Sequence, residues 1–251
     1  MRVNEAGAIA AWVLGPGLAT LRLVQIMAGV FVICTRCAGA RRQDMKEAEA
    51  PAETAADNAI MAGFEAWLSQ AADLDQEVFE TLRFEARVVR FAAGETLLQA
   101  GDVPDDLFFI SSGLVRYYYL TPAGQEFNKN FLAGGGVATS LSTFLQDEPM
   151  PFFIQALEDT VCVAVPLHVV RTMRHRLHSW ERLISRFITD LALSKERREA
   201  SFLLQSALER YEAFLDDYAG IAHRLPQYHI ASYLGITPVA LSRIRARRAV
   251  S

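Results

Sequence analysis

The run QYHIASYLGITPVALSRIRARR, residues 227–248, limits the possible folds more than any other part of the chain. Gly235 sits where two helices would have to turn sharply, and a residue without Cβ reaches positive φ at little cost. Four residues earlier is Ala231, small where two helices must approach. Ile230, Leu234, Ile236, Leu241 and Ile244 fall at the spacing of one shared apolar face. Thr237 is a good N-cap and Pro238 a good first residue for the second helix. That helix then exposes Ser242, Arg243, Arg245, Arg247 and Arg248. The pattern is a helix-turn-helix whose second helix can enter a DNA major groove; the plainer reading is a helical hairpin with a solvated basic end.

Charge supports the first reading. The 251-residue chain carries a net charge of −4, yet no Asp or Glu follows Asp217, while Arg224, Arg243, Arg245, Arg247 and Arg248 do. A basic terminus on an acidic chain suits phosphate contact. The length leaves room for two small domains. Three cysteines cannot build a disulfide framework, which points to a reducing cytoplasm. Cys34 and Cys37 form a lone C-x-x-C without further nearby ligands, and read as unpaired thiols.

From Phe84 to Pro166 the texture is β. The runs ARVVRF, TLLQA, LFFIS, LVRYYYL, EFNKNFL, FFIQAL and VCVAVP are separated by Gly94, Gly101, Gly113, Gly124 and the triplet Gly134, Gly135, Gly136. This spacing predicts an antiparallel barrel or jelly roll. Such a roll holds either a metal enzyme or a small-molecule sensor. No histidine occurs in this stretch; His168, His175, His178, His223 and His229 all lie beyond it. A metal site and an enzyme are therefore not expected.

Helical periodicity begins after Pro166. LHVVRTMRHRL is one short helix. Then Leu177, Trp180, Leu183, Ile184, Phe187, Ile188 and Leu191 recur at three- and four-residue steps. This stripe packs on its own barrel, pairs with a second copy of the chain, or does both. The pairing reading gives a dimer whose two recognition helices match a palindromic site. The KERRE stretch, Lys195–Glu199, reads as a solvated face at a hinge. Ser206 and Glu209 form a capping box for a helix through Tyr211, Phe214 and Leu215.

The N-terminal 60 residues differ from the rest. Two apolar stretches, 6–21 and 23–35, flank Arg22, and neither alone reaches the ~20 residues of a membrane span. A membrane tether, a signal-like segment and an extension outside the folded core all fit. We read residues 1–60 as such an extension, with 43–60 a linker and Met61 an alternative start. The other domains are a sensing β-roll with flanking helices at 61–176, a dimerisation helix at 177–198 and a helix-turn-helix domain at 199–251. The fold class is α+β.

This order of elements resembles the Crp/Fnr family of bacterial transcription regulators. GETLLQAGDVPDDLFFISSGLVRYYY is similar to the family's G-E…G-D…FI-x-x-G-x-V-R-x-Y run, and IQALEDT to the strand after its ligand cassette. ERYEAFLDDY and LPQYHIASYLGIT resemble its helical linker and helix-turn-helix. The resemblance covers residues 61–248. It implies a jelly-roll domain of the cyclic nucleotide-binding type and a C-terminal domain of the winged-helix or helix-turn-helix type. It also implies a homodimer on double-stranded DNA, a small-molecule effector of unknown identity, contact with RNA polymerase and a cytoplasmic location.

Two departures matter. The family's cyclic-nucleotide members hold phosphate with a Gly-Glu-Leu turn and an arginine about ten residues on. Here FLAGGGVATSLSTFLQDEPMPFFIQALED has no glutamate in the turn, and no Arg or Lys occurs between Lys129 and Arg171. Gly134, Gly135 and Gly136 could offer N–H groups to an anion, with Thr139 and Ser140 beside them. No cofactor is expected, and cyclic AMP should bind weakly or not at all. In the recognition helix, Val239 replaces the family's usual glutamate, while Arg243 keeps the arginine four residues later. Arg243 is expected to read a guanine and Val239 a thymine methyl. Thr237, Ser242 and Arg245 are assigned to phosphates, with Arg247 and Arg248 adding salt-sensitive affinity. The rival function is a membrane-tethered small-molecule sensor that signals through protein contacts.

Overall fold

Each of the seven expected β runs forms a strand in the computed structural model, which describes residues 54–248. The strands are β1 (Arg87–Phe91), β2 (Thr96–Leu98), β3 (Asp106–Ser112), β4 (Leu114–Leu120), β5 (Glu126–Ala133), β6 (Gly136–Ala138), β7 (Phe153–Ala156) and β8 (Thr160–Pro166). They build two four-stranded antiparallel sheets, ordered β1-β8-β3-β6 and β2-β7-β4-β5. The three-residue β6 is the strand that alternation alone did not mark. Ile110, Val115, Ile154, Cys162 and Ala164 fill the space between the sheets. Gly113 turns β3 into β4 at φ +105°, and a Cβ there would stand 2.4 Å from Thr160 Oγ1.

Helices cover the outer face of the first sheet. They are α1 (Ala55–Ala71), α2 (Gln76–Glu85), α4 (Leu167–Arg176) and the start of α5 (His178–Leu204), while the short α3 (Leu141–Gln146) follows β6. Phe64, Leu68, Val78 and Leu82 pack with Leu107, Phe109, Val163 and Val165 of the sheet and with Trp180, Leu183 and Ile184 of α5. Each large side chain buried this way contributes roughly 1.5–3 kcal/mol.

Two boundaries move relative to the sequence reading. The folded unit starts before residue 61: Thr54 and Asp57 form a complete capping box for α1, Asp57 pairs with Arg90 at 2.5 Å, and Ile60 and Met61 pack on the core. Residues 54–60 are thus part of the fold and not a linker. Helix α5 runs on to Leu204, beyond the expected end at 198. The apolar segment before residue 54, Cys34 and Cys37 lie outside the described residues. Among those described, no helix is long and apolar enough to cross a membrane, and no side-chain cluster could hold a metal ion.

The C-terminal helices are α6 (Ala207–Asp217), capped by Ser206 and Glu209 as expected, then α7 (Gln227–Leu234) and α8 (Pro238–Arg248). No strand follows β8 among the described residues, so a wing is not among them. Tyr211, Phe214, Ile230, Ala231, Leu234 and Leu241 share one cluster with Leu114 of β4 and Phe131 of β5. The helix-turn-helix therefore sits directly on the second sheet.

Candidate functional site

Local sequence fixes α7 and α8 as a rigid pair. Gly235 ends α7 in the left-handed region at φ +69°. Its missing Cβ also makes room for Phe202 of α5, whose Cε1 would lie 2.9 Å from it. Ala231 and Leu241 are fully buried between the helices. Thr237 Oγ1 accepts the Ala240 N–H at 3.2 Å, the expected N-cap bond. With Leu241 and Ile244 turned inward, Thr237, Pro238, Val239, Ser242, Arg243, Arg245, Arg247 and Arg248 are all exposed. Arg243, Arg245 and Arg248 have no ion-pair partner among the described residues.

A buried polar joint ties this pair to the β-roll. His229 is 4% exposed and Arg116 5%. Asn128 of β5 donates its amide N–H to His229 Nδ1 at 2.9 Å and to the His229 carbonyl at 3.2 Å. Its own backbone N–H goes to Ser232 Oγ at 2.9 Å. Arg116 of β4 reaches Gln155 at 2.8 Å and Glu126 at 2.5 Å, stacks on Tyr118 at 4.0 Å, and places Nη1 3.4 Å from His229 Nδ1. Because Nδ1 accepts from Asn128, the ring carries its proton on Nε2. Burial, then the Arg116 charge, hold the His229 pKa down at about 4. This joint was not legible in the sequence, because Asn128 and His229 lie 101 positions apart.

A cavity of about 570 Å³ opens where the β-roll, α1, α3 and α5 meet. Phe64, Trp67, Phe109, Tyr117, Phe152 and Trp180 supply much of its wall. Of the five residues expected to line an effector pocket, Gly136, Thr139 and Ser140 do so, whereas Gly134 and Gly135 do not. The triplet is no anion cradle: the Gly135 N–H donates to Ile110 O at 2.9 Å, and Gly136 pairs with Ile110 in the ladder. Arg171, the next cation after the triplet, donates to the carbonyls of Thr143 and Phe144 and pairs with Asp147. The cations that do line the cavity are Lys129 of β5 and Lys195 of α5.

The seven stripe residues of α5 divide. Trp180, Leu183 and Ile184 are buried in the chain's own core, with Leu177 and Ile188 packed against it. These five serve the barrel-packing role. Phe187 and Leu191 keep 37% exposure and stay available to a partner. The KERRE face is only partly solvated: Arg198 donates to Tyr233 O at 2.9 Å and stacks on the Tyr233 ring at 3.8 Å.

Comparison with known proteins places this architecture. Residues 88–176 match the cyclic nucleotide-binding domain family. The chain is 25% identical over 165 residues to electron transport regulator A of Shewanella oneidensis, spanning 61% of this chain and 65% of that protein. It thus covers just under two thirds of that relative. The nitrogen fixation regulation protein FixK of Rhizobium meliloti is 30% identical over 168 residues, 62% of this chain and 72% of FixK. Among solved structures, FixK2 of Bradyrhizobium japonicum superposes with a TM-score of 0.56 at 19% identity, over 66% of this chain and 85% of FixK2. A Crp/Fnr regulator from Eubacterium rectale gives 0.58 at 17% identity, over 71% and 85%. A jelly roll, a long helix and a helix-turn-helix in this order, with FixK matched over most of its length, make this chain a member of the Crp/Fnr family.

Proposed function

We propose that the chain is a DNA-binding transcription regulator that works as a homodimer, with α8 in the major groove and the cavity beside α5 as its effector site. The exposed cationic face of α8, on a helix held by Gly235, Thr237 and Leu241, carries this reading. Arg243 donates bidentately to guanine O6 and N7, and Val239, 62% exposed, meets a thymine methyl. Thr237, Pro238, Ser242 and Arg245 line the backbone, and Arg247 and Arg248 add charge. Phe187 and Leu191 belong to the dimer contact along α5. RNA polymerase is the further partner, and the cytoplasm the compartment.

The test is selection of bound sequences from a random duplex pool, followed by gel shift. A palindromic site should emerge. Arg243→Ala should lose ~1–3 kcal/mol and relax preference at one position per half-site. Arg248→Ala should lower affinity evenly across sequences and flatten the salt dependence. Binding by Arg243→Ala equal to that of the parent overturns the base assignment; a monomer without sequence preference overturns the function.

A further inference from the structure

The cavity has an apolar end and a cationic end, and the cations are uncompensated. Lys129 Nζ lies 3.7 Å from the Phe152 ring centre and 5.5 Å from that of Tyr119, so aromatic faces, not carboxylates, surround it. Lys195 is within hydrogen-bonding reach of Lys129, and Arg198 adds a third positive charge. None of the three has an ion-pair partner among the described residues. Asp190 lines the same cavity but turns to Arg186 at 3.9 Å. Asp217 lines the adjoining polar cleft, which also reaches Lys129, Lys195 and Arg198. Two or three like charges around a partly buried ammonium are costly unless an anion joins them. The strain shows in Lys129, whose pKa burial and then Lys195 push down to about 7. The Thr139 hydroxyl, which also lines this cavity, is buried without a hydrogen-bond partner among the described residues.

We propose that this cavity takes an organic acid with an apolar body, its carboxylate held by Lys129 and Lys195 and its body among the aromatic rings near Trp67 and Trp180. The assignment rests on reading the cavity as the effector site. It places the anionic head at the α5 end next to the helix-turn-helix. Among the described residues, the α3 end offers no free cation. The volume, about 570 Å³, lies within the roughly 300–1,000 Å³ of small-molecule sites.

The test uses the full chain and the uncharged fluorescent probe N-phenyl-1-naphthylamine, displaced by decanoate or by decanol. The two competitors share a tail and differ in charge. Decanoate should displace the probe at least ~10-fold more strongly than decanol. Lys129→Gln/Lys195→Gln should remove that preference while leaving decanol displacement unchanged. The single Lys195→Gln, at an exposed position, should lower the preference partway without touching the core, so a misfolded double variant leaves the question decidable. Equal displacement by both competitors, or decanoate displacement unaltered in the variants, overturns the proposal. Gel shift on the same samples separates the two levels. Lysine-dependent decanoate binding with unchanged DNA affinity keeps the site and removes its effector role. Sequence-specific DNA binding without lysine-dependent decanoate binding removes the site and keeps the regulator.

Discussion

Mild acid should loosen the contact between the helix-turn-helix and the β-roll, and His229 should be the cause. In the folded protein Nδ1 faces two donors, the Asn128 amide at 2.9 Å and Arg116 Nη1 at 3.4 Å. A proton on Nδ1 would turn an acceptor into a third donor beside a buried guanidinium. The ring therefore stays neutral down to about 4, against an ordinary 6.5. A group whose folded pKa is depressed supplies stability that is complete above its unfolded pKa and is lost as pH falls towards the folded one. The window here is 6.5 down to about 4. At 1.36 kcal/mol per pH unit, the loss between pH 7.5 and 5 comes to about 2 kcal/mol. Asp57, Glu158 and Glu209 are also held below the usual carboxylate range by their hydrogen-bond partners, but they begin from 3.8 for the aspartate and 4.5 for the glutamates and contribute little above pH 5. Urea unfolding of the parent and of His229→Gln at the two pH values isolates the effect, because glutamine can accept from Asn128 and does not titrate. The parent should lose about 2 kcal/mol more than the variant. Equal losses, or a His229 proton resonance that titrates above pH 6 in the folded chain, would refute the account.

Other perturbations separate the roles assigned above. Gly235→Ala puts a Cβ at φ +69° and 2.9 Å from Phe202; the left-handed conformation alone costs ~1–2 kcal/mol, and a melting scan should show a drop of several degrees. Leu183→Ala, at a site 3% exposed, should cost ~2–5 kcal/mol whatever the protein concentration, whereas Leu191→Ala should cost less and weaken self-association in sedimentation. Cys162 is buried, and burial raises its thiol pKa to about 12; peptide mapping after iodoacetamide treatment of the native protein should find it unmodified. Cyclic AMP should give no micromolar binding in calorimetry, since among the described residues no free cation faces the α3 end of the cavity.

Much of the frame was legible in the sequence because it rests on local chemistry. Positive-φ glycines, a capping box at Ser206 and Glu209, and alternating strands act over a few residues, and all appear where the residues placed them. The recognition face was legible for the same reason: Leu241 and Ile244, three residues apart, mark the inward side of α8, and Val239, Ser242 and Arg243 are left exposed. The cavity was less so. Gly134 and Gly135 look like an anion-binding nest in sequence, but the Gly135 N–H donates to Ile110 O and Gly136 lies in the ladder of β3 and β6. Lys129 and Lys195 stand 66 positions apart and meet only through the packing of α5 on β5. The stripe on α5 was correct as a stripe; periodicity tells which residues share a face and says nothing about whether that face meets the same chain or another.

In the function proposed above, the long helix joins the ligand site to the helices that read DNA. Phe187, Leu191 and Lys195 are four residues apart and border the cavity. Arg198 and Phe202 continue the same helix onto the turn of the helix-turn-helix, through Tyr233 O and the space left by Gly235. From Lys195 to Phe202 is seven residues, about 10 Å of continuous helix at 1.5 Å per residue. A carboxylate inserted between Lys129 and Lys195, which already stand within hydrogen-bonding reach of each other, should therefore press α5 against contacts that fix the orientation of α7 and α8. The second attachment, Asn128 and Arg116 to His229, resists that shift from the β5 side. Ligand effect on DNA affinity should consequently grow when this second attachment is weakened. Asn128→Ala removes the closer of the two donors to His229 Nδ1 and the side-chain donor to its carbonyl, a cost of ~1–3 kcal/mol for a buried group left unsatisfied. If the variant responds to decanoate no more than the parent in gel shift, while both bind it equally, then α5 does not carry the signal.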